Sequence, residues 1–333
     1  VPLAVRLPVS SKVTFDIYSA WAEGSIERSD SILSLSGPVD TRVKASYQAT
    51  PWALISVGAN VPTGNATHSN EEAIVASVLS MDLLGFREAT WGTGLAFTSS
   101  VATAMNAGGF GIGIATAYAV RGKFEPSADL AGVEYQPGNE ARVRVGLDRN
   151  FGGSTFTAGA TFINYAKDQR DQVNLFKAGN RLRFDATYAF RAGAGVWTIY
   201  AADLIRENGD LRLDIVDDGG SVVDFTTVAT AKQNLMAGGV IGTVGLGGGF
   251  VFRPHLDFKY QKRDEPTSQI NPMGSQAGSG WIASAGGDIP LRIFGGYDFF
   301  PKARVFFGSI QDALGGNISL LGMEFKGTMR WTL

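Results

Sequence analysis

Apolar and polar residues alternate along most of this chain. Between 140 and 148, Glu140, Arg142, Arg144, Gly146 and Asp148 interleave with Ala141, Val143, Val145 and Leu147. After Asn150-Phe151-Gly152-Gly153, the next run sets Phe156, Ala158, Ala160 and Phe162 against Thr155, Thr157, Gly159 and Thr161. Period two is the mark of a strand, and two such runs around a glycine turn make a β-hairpin. One face of this hairpin is apolar, and the other carries more ions than the dry core of a soluble sandwich tolerates. A membrane barrel accounts for both faces, with apolar side chains toward lipid and ions toward a wet lumen. The pattern recurs. Leu182, Phe184, Ala186, Tyr188 and Phe190 oppose Arg181, Arg183, Asp185 and Thr187. Val43, Ala45 and Tyr47 oppose Arg42, Lys44 and Ser46, and Phe252, Leu256, Phe258 and Tyr260 oppose Arg253, His255, Asp257 and Lys259.

Taken in order, the tracts predict an all-β chain: a transmembrane antiparallel up-and-down β-barrel of about fourteen strands, forming one domain over residues 1–333. Residues 1–11 read as a periplasmic lead-in. Every second connection is a short turn, near Pro51, Ala107, Gly152, Gly193, Gly247 and Tyr297, and those between are mostly longer and more polar. Bacterial outer-membrane barrels have this parity, with short periplasmic turns and long external loops. Leu211–Phe225 reads as a hairpin extended beyond the membrane, with Asp217-Asp218-Gly219-Gly220 at its tip. The longest loop, 62–90, contains a helical tract at 70–86, with Asn70 as a cap and Glu71 and Glu72 in the first turn. Ile74, Val78, Leu79 and Leu83 on this tract need burial, and the barrel mouth or lumen is the nearest place to bury them.

Composition adds exclusions. A net charge of −2 argues against nucleic acid as a partner. No run of about 18 apolar residues is present, which excludes a transmembrane helix. There is no cysteine, and the two histidines, His68 and His255, are far apart, so neither a metal site nor a catalytic constellation is expected, and no cofactor. The expected location is the bacterial outer membrane, with lipid and lipopolysaccharide as the outer partners.

Tyr47, Thr50-Pro51-Trp52, the strand ending Val61-Pro62-Thr63-Gly64, and the long loop leading to Gly92-Thr93-Gly94 resemble the fourteen-stranded long-chain fatty-acid transporter family, including its barrels linked to aromatic-compound degradation. The resemblance implies uptake of small hydrophobic or amphipathic molecules. The chain departs from that family in having only about eleven residues before its first strand, too few for an N-terminal hatch.

The inward set offers a solute pathway: Arg42, Lys44, Arg142, Arg144, Arg181, Arg183, Asp185, Arg253, His255, Lys259 and Arg304. Bases outnumber acids there, which favours anionic solutes. The plainer reading of any one of these residues is a cross-strand ion pair. Three functions follow: a channel or transporter for small hydrophobic, amphipathic or anionic molecules, an anion-leaning diffusion porin, or a structural barrel that anchors envelope partners.

Overall fold

In a computed structural model, residues 2–28, 31–80, 82–84, 91–129, 132–217, 221–248, 250–264, 278–292, 297–311 and 317–331 are described. The first strands are β1 (Pro2–Pro8), β2 (Val13–Arg28), β3 (Ser31–Pro38), β4 (Thr41–Thr50) and β5 (Ala53–Val61), followed by helix α1 (Asn70–Leu79). Next come β6 (Ala96–Ala107), β7 (Phe110–Arg121), β8 (Tyr135–Gln136), β9 (Glu140–Asn150), β10 (Thr155–Tyr165), β11 (Lys167–Arg170) and β12 (Val173–Lys177). Then follow β13 (Arg181–Ala192), β14 (Gly195–Arg206), β15 (Asp210–Val216), β16 (Val222–Ala229) and β17 (Gln233–Gly247). The last are β18 (Phe250–Arg263), β19 (Gly280–Asp288), β20 (Leu291–Arg292), β21 (Tyr297–Gln311) and β22 (Asn317–Trp331).

The wall is an up-and-down antiparallel meander. It runs β1-β2-β4-β5-β6-β7-β9-β10-β13-β14-β17-β18-β19-β21-β22, with β20 beside β21 at the place of β19. Fourteen of these fifteen places are the expected strands. The fifteenth corrects the lead-in: Pro2–Pro8 pairs along β2. By that register Leu3, Val5 and Leu7 extend the apolar face of Phe15 and Ile17, while Arg6 meets Asp16. Seven residues bounded by two prolines gave too short an alternation to stand out.

The register puts Val143, Val145, Phe184 and Tyr188 on the outer face, each between 42% and 47% exposed. Aromatic residues crowd the turn end, where Trp52, Phe151 and Phe250 are exposed, and Phe97, Tyr118 and Trp281 lie near the opposite ends of their strands. An outward apolar band between two aromatic girdles is the surface of a membrane-spanning barrel, and the architecture is that of an outer-membrane protein. Asp203, directly opposite Phe184 and close to the outer end of β14, is a charged member of the outward set.

The turns follow from local chemistry. Between β6 and β7, Gly108 and Gly109 have φ of 58° and 80°, the positive pair that a type I′ hairpin requires. The turn expected near Tyr297 falls partly on residues 293–296, outside the described residues. At the other end strands outgrow the wall. The outer half of β2 pairs with β3. A separate five-stranded sheet, β16-β15-β12-β11-β8, stands on the wall strands that lead into it. This sheet contains the expected external hairpin, whose tip residues 218–220 lie outside the described set, and it claims Lys167–Lys177, which reads in sequence as a tip and the start of a long strand.

The helix is shorter than the expected 70–86. It ends at Leu79, and Asp82–Leu84 form a turn. Ser69 is its cap, in place of Asn70. The Glu72 amide donates to Ser69 Oγ at 3.3 Å and the Ser69 amide to Glu72 Oε2 at 2.9 Å, a reciprocal capping box.

Candidate solute pathway

The loop between β5 and β6 is fastened at its base by one carboxylate. Asp40, 5% exposed, accepts from the Gly64 amide at 3.1 Å through Oδ1. Its Oδ2 accepts from the Thr93 amide at 2.8 Å and from Asn60 Nδ2 at 2.6 Å. The Asp40 amide donates to the Trp91 carbonyl at 3.0 Å. Both legs of the loop therefore meet at one residue of the wall. They also touch each other: a Cβ on Gly64 would lie 2.2 Å from the Trp91 oxygen, and one on Gly92 2.7 Å from the Ala66 nitrogen. The glycines quoted above for the family resemblance are here the condition for closing the loop's base.

From that base the loop reaches two parts of the wall. Val75 and Trp91 are buried with Leu33 and Leu35 of the β2–β3 hairpin, and Ile74 packs on this cluster. Ile74 thus packs on the β2–β3 hairpin, apart from the strands that Leu83 meets. The two residues are nine positions apart, half a turn out of phase at about 3.6 residues per turn, and the helix ends between them at Leu79. Leu83, fully buried, and Leu84 pack instead with Leu235, Ile282 and Ile310, against Leu204, Phe306 and Leu320. By register these are lumen-side positions on β14, β17, β19, β21 and β22. Asp82 supplies a polar tie, with its Oδ2 accepting from Arg206 Nη2 at 3.0 Å. The side chains of Val78 and Leu79 lie outside the described residues.

The lumen ions form two groups. On one part of the wall Arg144 grips Asp185 through both guanidinium nitrogens at 2.7 and 2.8 Å, with Arg183 3.9 Å away. Asp16 takes Arg6 at 2.6 Å and Lys44 at 3.2 Å. Glu140 accepts from Arg121 at 2.7 Å and also from Arg142. Arg42 lies over the Tyr18 ring and Arg181 over that of Tyr165. On the other part, Arg304 pairs with Glu324 at 3.3 Å and Arg253 with Asp288 at 3.6 Å. His255 Nε2 stands 3.9 Å from Asp257, whose carboxylate is held by Tyr200 and by Ser284 at 3.2 Å, and Lys259 lies further along the same strand. The structure brings Arg42, Lys44 and Arg142 to one cavity, groups Arg144, Arg183 and Asp185, and sets Arg253, His255, Lys259 and Arg304 apart on β18 and β21.

That cavity, of about 540 Å³, lies against β4, β5, β6, β7 and β9, with Thr93 of the loop at its edge. Its lining contains four cations, Arg42, Lys44, Arg121 and Arg142, and one carboxylate, Glu140. Arg121, Glu140 and Asn60 are lining residues absent from the expected pathway. Glu140 belongs to the alternating row of its strand but is an acid where the expected pathway is mostly bases, while Arg121 ends its strand and Asn60 is the one large polar side chain of its own.

No protein-family model and no curated protein matches the chain. Among solved structures it is similar to in-vitro folded OmpT, an outer membrane protein of Vibrio cholerae, at 10% identity and a TM-score of 0.44, over 97% of this chain and 98% of that one. The trimer form of that protein gives 11% identity and a TM-score of 0.42, over 96% and 99%. The β domain of the Bordetella autotransporter BrkA gives 11% and 0.30, over 88% and 97%. The likeness is one of outline.

Proposed function

We propose that the protein is an outer-membrane channel for small anionic or amphipathic molecules, narrowed by the loop between β5 and β6. The observation that carries this reading is the course of the loop. It leaves the wall at Asp40, packs Val75 on the β2–β3 side, and buries Leu83 and Leu84 against lumen positions on distant strands. Beside it remains a cavity of about 540 Å³ with four cations in its lining. Replacing residues 70–88 by a short Gly/Ser linker should raise single-channel conductance in planar bilayers severalfold. Unchanged conductance would mean that the loop does not set the passage.

One observation favours a second reading, transport of apolar solutes as the family resemblance implies. The cluster around Leu83 is an apolar contact between loop and wall that an apolar solute could replace. In that case octanoate should increase the conductance of the intact protein and leave the loop-deleted protein unaffected. No such response would dispose of this second reading.

A further inference from the structure

We infer that the cavity on β4–β9 is a binding site for a small hydroxylated carboxylate, of the size and polarity of a sugar acid. The inference rests on the channel reading and names its solute.

The register arranges the cavity in rows across five strands. One row is Ser46, Ser56, Ser100, Ala117 and Arg142. The next is Lys44, Gly58, Thr98, Ala119 and Glu140, and the third is Arg42, Asn60, Ala96 and Arg121. Cations therefore stand at both ends, and hydroxyls, an amide and residues no larger than alanine lie between them. The small residues make the space; the hydroxyls make it polar. Ser46 and Ser56 already share a hydrogen bond of 3.0 Å along the first row. From β4 to β9 is four strand spacings, roughly 19 Å along the wall. Long basic side chains from either end bring a carboxylate and its counter-end within reach of a molecule lying on the floor.

Charge decides the sign of the ligand. Four cations, Arg42, Lys44, Arg121 and Arg142, stand in the lining against one carboxylate, Glu140, which two of them share. Burial decides its polarity. The lumen's leucines and isoleucines are occupied by Leu83 and Leu84 of the loop, and none of them lines this cavity. The apolar side chains of the lining are alanines, Val43, Val57 and Pro137, with no leucine, isoleucine or aromatic ring to hold an acyl chain. A hydroxylated carboxylate finds guanidinium groups for its charge and serine and threonine for its hydroxyls. The volume lies within the roughly 300–1,000 Å³ of ordinary small-ligand sites.

The test is calorimetric titration of the full-length protein in non-ionic detergent with glucuronate, glucose and octanoate as probes. Glucuronate should bind saturably, at least tenfold more tightly than either of the others. The paired change Lys44→Gln with Arg142→Gln should weaken it at least tenfold. Ala117→Leu, which fills the floor and leaves every charge in place, should weaken it as well, with heat-modifiable gel mobility confirming the fold of each variant. Equal affinity for glucuronate and glucose, preference for octanoate, or indifference to both variants would overturn the site. Binding in detergent does not depend on conduction, so a protein that binds glucuronate and passes no current keeps the site and loses the channel reading.

Discussion

Asp40 joins residues 20 to 53 positions away in sequence through hydrogen bonds to a buried charge. Each such bond contributes about 1.5–3 kcal/mol. Asp40→Asn would turn an amide donor toward groups that are themselves donors, so both legs of the loop should loosen. Limited proteolysis should then cut between residues 81 and 90 well before the wild type is cut there; equal resistance would show that the clip is dispensable. Nothing in the run Val39-Asp40-Thr41 announces this role, because it depends on contacts that only the folded wall creates. The sidedness of single residues was legible, since pleat parity alone assigns it. Val145, near the middle of β9, faces outward, and Val145→Lys should cost about 2–4 kcal/mol in urea titrations of the lipid-embedded protein, as expected for the bilayer midplane. Phe184→Lys lies closer to the outer rim and opposite Asp203, so it should cost less. The reverse order would misplace the membrane along the strands.

The β5–β6 loop is the element whose path sequence could only half supply. Its apolar content demanded burial, but the choice of walls did not follow from the pattern. Ile74 packs on the β2–β3 hairpin and Leu83, beyond the end of the helix at Leu79, on the far strands. Truncating Leu83 to alanine should remove about 2–5 kcal/mol of docking energy and give brief excursions to a larger conductance; a steady wild-type current would show that this contact does not hold the loop. His68 adds a pH dependence. Burial holds its imidazole below the ordinary value of about 6.5, and the Glu72 carboxylate 3.9 Å away only partly opposes the shift. A depressed value in the docked loop means that docking is at full strength above the ordinary value and weakens as pH falls through and below it. Open-channel noise should therefore rise on acidification toward pH 5 and be flatter in His68→Gln. Likewise the external sheet was half legible: the 211–225 hairpin was plain, but the bends at 166 and 178–180 hide inside otherwise strand-like sequence.

For the molecule as a whole, period two fixed the class of fold, and turn parity fixed which end carries the long loops. The fifteen described places of the wall alternate in direction from β1 to β22. Leu321, Met323 and Phe325 of β22 are among the most exposed apolar residues described. The lumen that this wall encloses holds its cations in ladders and clusters, as the plainer reading of single residues anticipated, with an excess of positive charge around the cavity. That excess is the central claim, and the zero-current potential of the purified protein across a bilayer with a tenfold KCl gradient tests it most directly. The account predicts a potential of the sign set by chloride, which shrinks when Lys44 and Arg142 are both changed to glutamine. A potential of the sign set by potassium would contradict it.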